Sequence, residues 1–190
     1  PQGALTVATN VEILDDNAIR SRGGLALVAA SASHSAWADS AGNGYFALKI
    51  AQRVGPTGTV YANDIVEDFL TELRERAAQR GFSNIKTVLG TKTDPRLPAG
   101  TIDFVFMVQV FWHLSNPVEV LDGIAASLKP GAKLVIVEHE SGTILHEGRV
   151  VQERTREIIL NVVSRSRFRV ERIDTSLPAP AWVVVILALK

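Results

Sequence analysis

The chain has 190 residues, enough for one domain with a sizeable core. Its twenty basic and twenty acidic residues cancel, which argues against a polyanionic partner such as nucleic acid. It contains no cysteine, which excludes disulfides, thiolate metal sites and thiol nucleophiles, and its longest apolar runs, Leu25–Ala30 and Ala181–Leu189, are far too short to cross a membrane. The chain begins at Pro1 rather than Met, as a fragment or a processed product would. A cytoplasmic location is expected, with removal of an N-terminal leader as the alternative.

Residues 1–36 carry little pattern. Asn10 is placed to cap a short helix bearing Val11, Leu14 and Ala18, and Ser31-Ala32-Ser33-His34-Ser35 is small and polar where a central strand wants Val or Ile. From Trp37 the organisation sharpens. A short strand ending in Asp39 leads into the turn Gly42-Asn43-Gly44, and then Phe46, Ile50 and Val54, with Ala47 and Ala51, mark a helix face that stops at Gly55-Pro56. Thr59–Ala62 is β-prone and leads to Asp64. Phe69, Leu70, Leu73 and Ala77 mark a second helix closed by Gly81. Ile85–Leu89 reads as a strand, and Ile102–Val110 as a longer apolar one that suits a parallel strand covered on both faces. Asn116-Pro117-Val118-Glu119 is a helix start, with Asn as N-cap, Pro in the first turn and Glu at the third position. Leu121, Ile124 and Leu128 give that helix its buried stripe before Lys129-Pro130-Gly131 ends it. Leu134–Val137 is the next strand, Val151–Val163 is expected to be helical, and two β segments, Phe168–Thr175 and Trp182–Leu189, close the chain. The alternation predicts an α/β fold: a three-layer, Rossmann-like, doubly wound sheet, mostly parallel, seven-stranded, with an antiparallel last strand. One domain over 1–190 is expected, made of the N-terminal segment 1–36, a cofactor-binding core 37–140 and a C-terminal helix and strand pair 141–190.

The turn is the main functional signal. A strand feeding a glycine turn and a helix aims free backbone N–H groups and the positive helix end at one point. Asp64, twenty residues after Gly44, stands at the tip of the next strand, where it can accept both hydroxyls of a ribose. Asn43-Gly44 is also a hairpin signal, but Tyr45–Val54 has a period near four rather than two. Gly42-x-Gly44-x-x-Ala47 satisfies a loose dinucleotide fingerprint, which makes an NAD-binding oxidoreductase one reading. Asp39 would oppose a pyrophosphate, however, and Tyr45-Phe46 crowds the turn. S-adenosylmethionine suits both features better. It has no phosphate, its ammonium wants an acid such as Asp39, and its carboxylate wants the N–H groups of Gly42–Gly44.

Here a resemblance enters. Asp39-Ser-Ala-Gly-Asn-Gly-Tyr-Phe46 and Arg53-Val-Gly-Pro-Thr-Gly-Thr-Val-Tyr-Ala-Asn-Asp-Ile65 resemble the first two motifs of class I S-adenosylmethionine-dependent methyltransferases. Leu89-Gly-Thr-Lys-Thr-Asp-Pro-Arg-Leu-Pro98, Asp103-Phe-Val-Phe-Met-Val-Gln-Val-Phe-Trp-His-Leu114 and Leu128-Lys-Pro-Gly-Ala-Lys-Leu-Val-Ile-Val137 are similar to the later ones. The resemblance implies S-adenosylmethionine as cofactor, held by Asp39, Gly42, Gly44, Asp64, Ile65, Thr91 and Gln109, and a small-molecule acceptor with neither nucleic acid nor membrane as partner. The family's first motif usually reads Asp-x-Gly-x-Gly-x-Gly. Asp39–Gly44 is one residue shorter, which implies a narrowed methionyl end. The acid that commonly meets the adenine amine is replaced by Thr91 or Lys92, with Asp94 three residues late. The alternative from another class is a chain that kept the fold as a nucleoside-binding or structural protein.

Methyl transfer from a sulfonium depends largely on positioning and needs no metal. His113, after the fourth long strand, is the candidate base for an acceptor that must lose a proton; its bland alternative is a helix-start histidine packing beside Trp112. The pairs His139-Glu140 and His146-Glu147 match no stereotyped metal spacing and read as loop residues, so no metal is expected. Trp37, Phe111 and Trp112 line an acceptor pocket or fill core. Arg165, Arg167, Arg169 and Arg172 read as a solvated basic face.

Overall fold

The computed structural model describes residues 24–28, 44–108, 110–139, 141–146, 149–175 and 182–190. In chain order its elements are β1 (Gly24–Val28), α1 (Tyr45–Val54), β2 (Thr59–Asp64), α2 (Glu67–Gln79), β3 (Ile85–Leu89), β4 (Ile102–Val108), a single 3-10 turn (Phe111–His113), α3 (Pro117–Ser127), β5 (Leu128–His139), β6 (Ser141–His146), β7 (Arg149–Arg154), α4 (Thr155–Arg165), β8 (Phe168–Asp174) and β9 (Trp182–Leu189). One sheet runs in the order β3-β2-β1-β4-β5-β9-β8, and β6 pairs with β7 in a separate two-stranded sheet. The pairs β1–β2, β1–β4, β2–β3 and β4–β5 are parallel. Strand β9 runs antiparallel to both β5 and β8.

Alternation along β4 and β5 sorts side chains into two cores. Phe104, Phe106 and Val108 with Val135 and Val137 meet Ala47, Leu48 and Ala51 of α1 and Leu73 and Ala77 of α2. Val105, Met107, Leu134 and Ile136 point the other way, onto Leu121 and Ile124 of α3 and Ile159, Val162 and Val163 of α4. Both strands are therefore apolar almost without interruption, as strands covered on two faces must be. The C-terminal end of α1 is closed by Asn84, whose Nδ2 donates to Ala51 O at 3.0 Å and Gly55 O at 2.8 Å, satisfying carbonyls the helix leaves open.

The structure departs from the sequence expectations in four places. The strand that joins β2 to β4 is Gly24–Val28, not a segment ending at Asp39. Leu25-Ala-Leu-Val28 is the run apolar enough for the middle of a two-faced sheet. Trp37–Asp39, Gly42 and the Asn10 segment lie outside the described residues. The helix expected over Val151–Val163 begins only at Thr155, because the β-branched Val150 and Val151 pair with Leu145 and Ile144 in the β6–β7 hairpin. Strand β5 runs from Leu128 to His139, longer at both ends than Leu134–Val137. Asn116 does occupy the N-cap of α3 and Pro117 its first turn, but the Asn116 side chain makes no capping hydrogen bond.

Gly123 shows how closely α3 packs. A Cβ there would lie 2.6 Å from Pro95 Cδ, in the chain between β3 and β4. Gly123→Ala gains about 1 kcal/mol of helix propensity but forces a rigid ring away at a cost of about 1–3 kcal/mol. We expect a net loss of about 1 kcal/mol, read as a lower urea midpoint; an unchanged or raised midpoint would show that the Pro95 segment yields freely.

Candidate cofactor cleft

In a doubly wound sheet ligands bind outside the carboxyl ends of the parallel strands, where the strand order reverses. Here that edge gathers Gly44, Asp64, the segment 89–97, the turn after β4 and the end of β5. Asp64 closes β2 and is only 4% exposed. Its Oδ1 accepts the Val66 N–H at 2.9 Å, and its backbone oxygen accepts the Gly90 N–H at 2.9 Å. The carboxylate is thereby held at the strand tip by a two-residue turn. Val66, not Asp64, is the N-cap of α2.

Gly44 is the N-cap of α1 with φ 83°, a left-handed conformation, and no side chain caps the helix there. A Cβ on Gly44 would also come within 2.3 Å of Leu73 Cδ1. The residue is glycine for both reasons. Beside Asp64 the ladder pairs it with Leu89, and Ile65 and Leu89 are the exposed large apolar residues of the described chain, at 42% and 41%. Ile65 follows Asp64 in the chain and Leu89 stands across the ladder from it.

Thr91 is where the sequence placed it, just past β3, but its hydroxyl is spent locally. Oγ1 accepts the Asp94 N–H at 2.9 Å, and the Thr91 N–H donates to Asp94 O at 2.7 Å. Asp94 Oδ1 in turn accepts the Arg96 N–H at 2.7 Å, which holds Arg96 at φ 53°. Asn63, buried on β2, anchors this segment from below: its Nδ2 donates to Val88 O at 3.0 Å and Pro95 O at 2.7 Å. Asp39, Gly42 and Gln109 lie outside the described residues.

Past β4, Phe111 is buried, Trp112 is partly buried and His113 stands at the surface of the 3-10 turn. The His113 N–H donates to Val110 O at 2.9 Å, and partial burial lowers the imidazole below its usual pKa of 6.5, so the ring is neutral at physiological pH. Sequence reasoning missed the most unusual group of this edge, Glu138. It is 2% exposed at the end of β5, its Oε1 accepts the Phe111 N–H at 2.7 Å, and burial pushes its carboxyl up to about 7 although hydrogen bonds from Phe111 and Val110 oppose the shift. In the sequence it is one acid closing the apolar run Leu134–Val137, a place where a solvated strand end is equally expected. The arginines near the chain end lie on exposed positions, Arg172 paired with Asp174 at 2.6 Å. Among the described residues no three His, Asp or Glu side chains gather around a common point, and no helix is long and apolar enough to cross a membrane.

Residues 40–136, half of the chain, match the model of the methyltransferase domain. The chain belongs to the class I S-adenosylmethionine-dependent methyltransferase family. Among curated relatives, a demethylmenaquinone methyltransferase of Anoxybacillus flavithermus is 28% identical over 104 residues, 55% of this chain and 44% of that protein. The nocamycin O-methyltransferase of Saccharothrix syringae is 41% identical over 64 residues, 34% of this chain and 23% of that protein. The chain thus spans less than half the length of the curated methyltransferases it matches. A solved S-adenosylmethionine-dependent methyltransferase from Aquifex aeolicus shares the fold, with TM-score 0.70 at 21% identity over 96% of this chain and 93% of that one. The family's cofactor is S-adenosylmethionine, and this methyltransferase domain suits it: a buried acid closes β2 with the exposed Ile65 and Leu89 beside it, and α1 starts at a left-handed glycine.

Proposed function

We propose that this chain transfers a methyl group from S-adenosylmethionine to a small-molecule acceptor, within a single domain over 1–190 whose core 37–140 holds the cofactor. The observation that carries this reading is Asp64, buried and held at the end of β2 beside the exposed Ile65 and Leu89. Asp64 receives the ribose hydroxyls, Ile65 and Leu89 take the adenine, and the N–H groups from Gly42 to Gly44 take the methionyl carboxylate, with Asp39 opposite the ammonium. Thr91 contributes by fixing the 91–96 segment that walls the adenine side, and Gln109 borders the methyl end. When bound, S-adenosylmethionine supplies an electrophilic methyl group. The protein's part is to align the acceptor and, where the acceptor must lose a proton, to receive it on the neutral His113. Small acceptors are also what the curated relatives' names carry, demethylmenaquinone and nocamycin.

Calorimetric titration with S-adenosylmethionine, S-adenosylhomocysteine and NAD tests the reading. Binding of the two sulfur nucleosides without NAD is the expected result. NAD binding alone would overturn it in favour of an oxidoreductase, and no binding by any of the three would leave a fold without the cofactor.

A further inference from the structure

The last described register pair between β4 and β5 is Val108 with Val137, and beyond it a 3-10 turn carries Trp112 and His113. Its own backbone holds that turn only through the His113 N–H on Val110 O at 2.9 Å and the Leu114 N–H on Phe111 O at 3.2 Å, and its N-cap, Val110, makes no side-chain capping hydrogen bond. A further anchor comes from the neighbouring strand. Glu138, one residue beyond the last β4–β5 register pair (Val108 with Val137), reaches across and takes the Phe111 N–H at 2.7 Å, with a further hydrogen bond from the Val110 N–H. A buried carboxylate is a costly way to satisfy two backbone donors. A main-chain carbonyl would serve for the fold alone. What Glu138 adds is a side-chain oxygen that reaches the Phe111 N–H from the neighbouring strand, directly before Trp112 and His113.

We propose that Glu138 is a positioning residue of the methyl-transfer site: it locks the Val110–His113 turn and so fixes the place of His113 and Trp112 at the acceptor side of the cleft. The proposal rests on the methyltransferase reading for the word acceptor, but the lock itself is a property of this chain alone. It also accounts for an acid on a strand whose other buried core positions are Leu, Ala, Val and Ile.

The test compares Glu138→Ala with Glu138→Gln, which keeps an oxygen for the Phe111 N–H. Amide exchange at Phe111 and the NMR signals of the His113 ring read the lock without cofactor, and calorimetry with S-adenosylhomocysteine reads its consequence. In Glu138→Ala, Phe111 exchange should accelerate by roughly tenfold or more, the His113 signals should shift, and S-adenosylhomocysteine affinity should fall by roughly tenfold. Glu138→Gln should restore all three to near the wild-type values. A folded Glu138→Ala with unchanged Phe111 exchange and His113 signals overturns the proposal, as does a Gln variant as impaired as the Ala one. Should Glu138→Ala not fold, Glu138→Asp takes its place, since it retracts the carboxylate by one methylene: lost Phe111 protection supports the lock and full retention overturns it. Wild-type protein that binds no S-adenosylhomocysteine overturns the proposed function, while exchange and the His113 signals still decide the lock.

Discussion

Replacing Asp64 by alanine is expected to weaken S-adenosylhomocysteine binding by about 1.5–3 kcal/mol, roughly 10- to 150-fold, the range for charge-assisted hydrogen bonds to a ligand. The structure adds a complication and its remedy. Asp64 Oδ1 also holds the Val66 N–H, so the alanine variant loses part of the turn into α2, about 1 kcal/mol of stability. Asp64→Asn keeps an oxygen for Val66 and loses the charge. Its urea midpoint should stay close to that of the wild type while its affinity still drops several-fold. If both variants lose stability and neither loses affinity, Asp64 is a turn residue and the ribose must find its acceptor elsewhere.

The second large effect concerns pH. Glu138 has its carboxyl at about 7 in the folded protein, against the usual 4.5. Between those two values the folded state holds a proton that the unfolded chain has released, so stability falls as pH rises through that window, by about 3 kcal/mol in full. Below 4.5 both states are protonated and the contribution is intact. His113 acts with the opposite sign: its lowered pKa makes the unfolded chain the better proton acceptor below 6.5, so its term grows as pH falls. The two are separated by Glu138→Gln, which carries no charge at any pH. The variant should match the wild type near pH 5 and exceed it near pH 8 by about 3 kcal/mol in urea unfolding. Parallel pH profiles for the two proteins would mean that the carboxyl titrates near its ordinary value.

Much of the core was legible because its elements carry strong periods. The four-residue period of Phe46, Ile50 and Val54 belongs to α1, and the nearly unbroken Ile102–Val110 run contains β4, Ile102–Val108. Trp182–Leu189 is β9, reversed against β5. The hairpin was not legible, since Val150 and Val151 fit a helix face and a ladder equally well, and only pairing with Ile144 and Leu145 decides between them. The central strand was misplaced for a related reason. A glycine turn suggests that its strand lies directly before it, but the sheet takes the segment that best tolerates burial, and that is Leu25–Val28. Around the candidate cleft, the glycine start of α1 at Gly44 and the place of Asp64 at the end of β2 were legible from spacing. Glu138 was not, because reading an acid at a strand end as buried requires knowing that the last described pair of the neighbouring strand lies one residue earlier and that Phe111 comes back across it.

The position of β1 has a consequence for how this chain can be cut. Everything that marks the family lies downstream, and the family match begins only at residue 40. Yet Gly24–Val28 is the seam between β3-β2 on one side and β4-β5-β9-β8 on the other. Excision at the motif would remove a single five-residue strand and leave β2 and β4 facing one another across two strand spacings, roughly 10 Å, too far to zip together directly. Each would then present a raw ladder edge in the middle of the molecule, the kind of edge that recruits a foreign strand. The seam also joins the earliest described segment of the chain to a partner far along it, so the two halves of the sheet can become one only after β4 has been made.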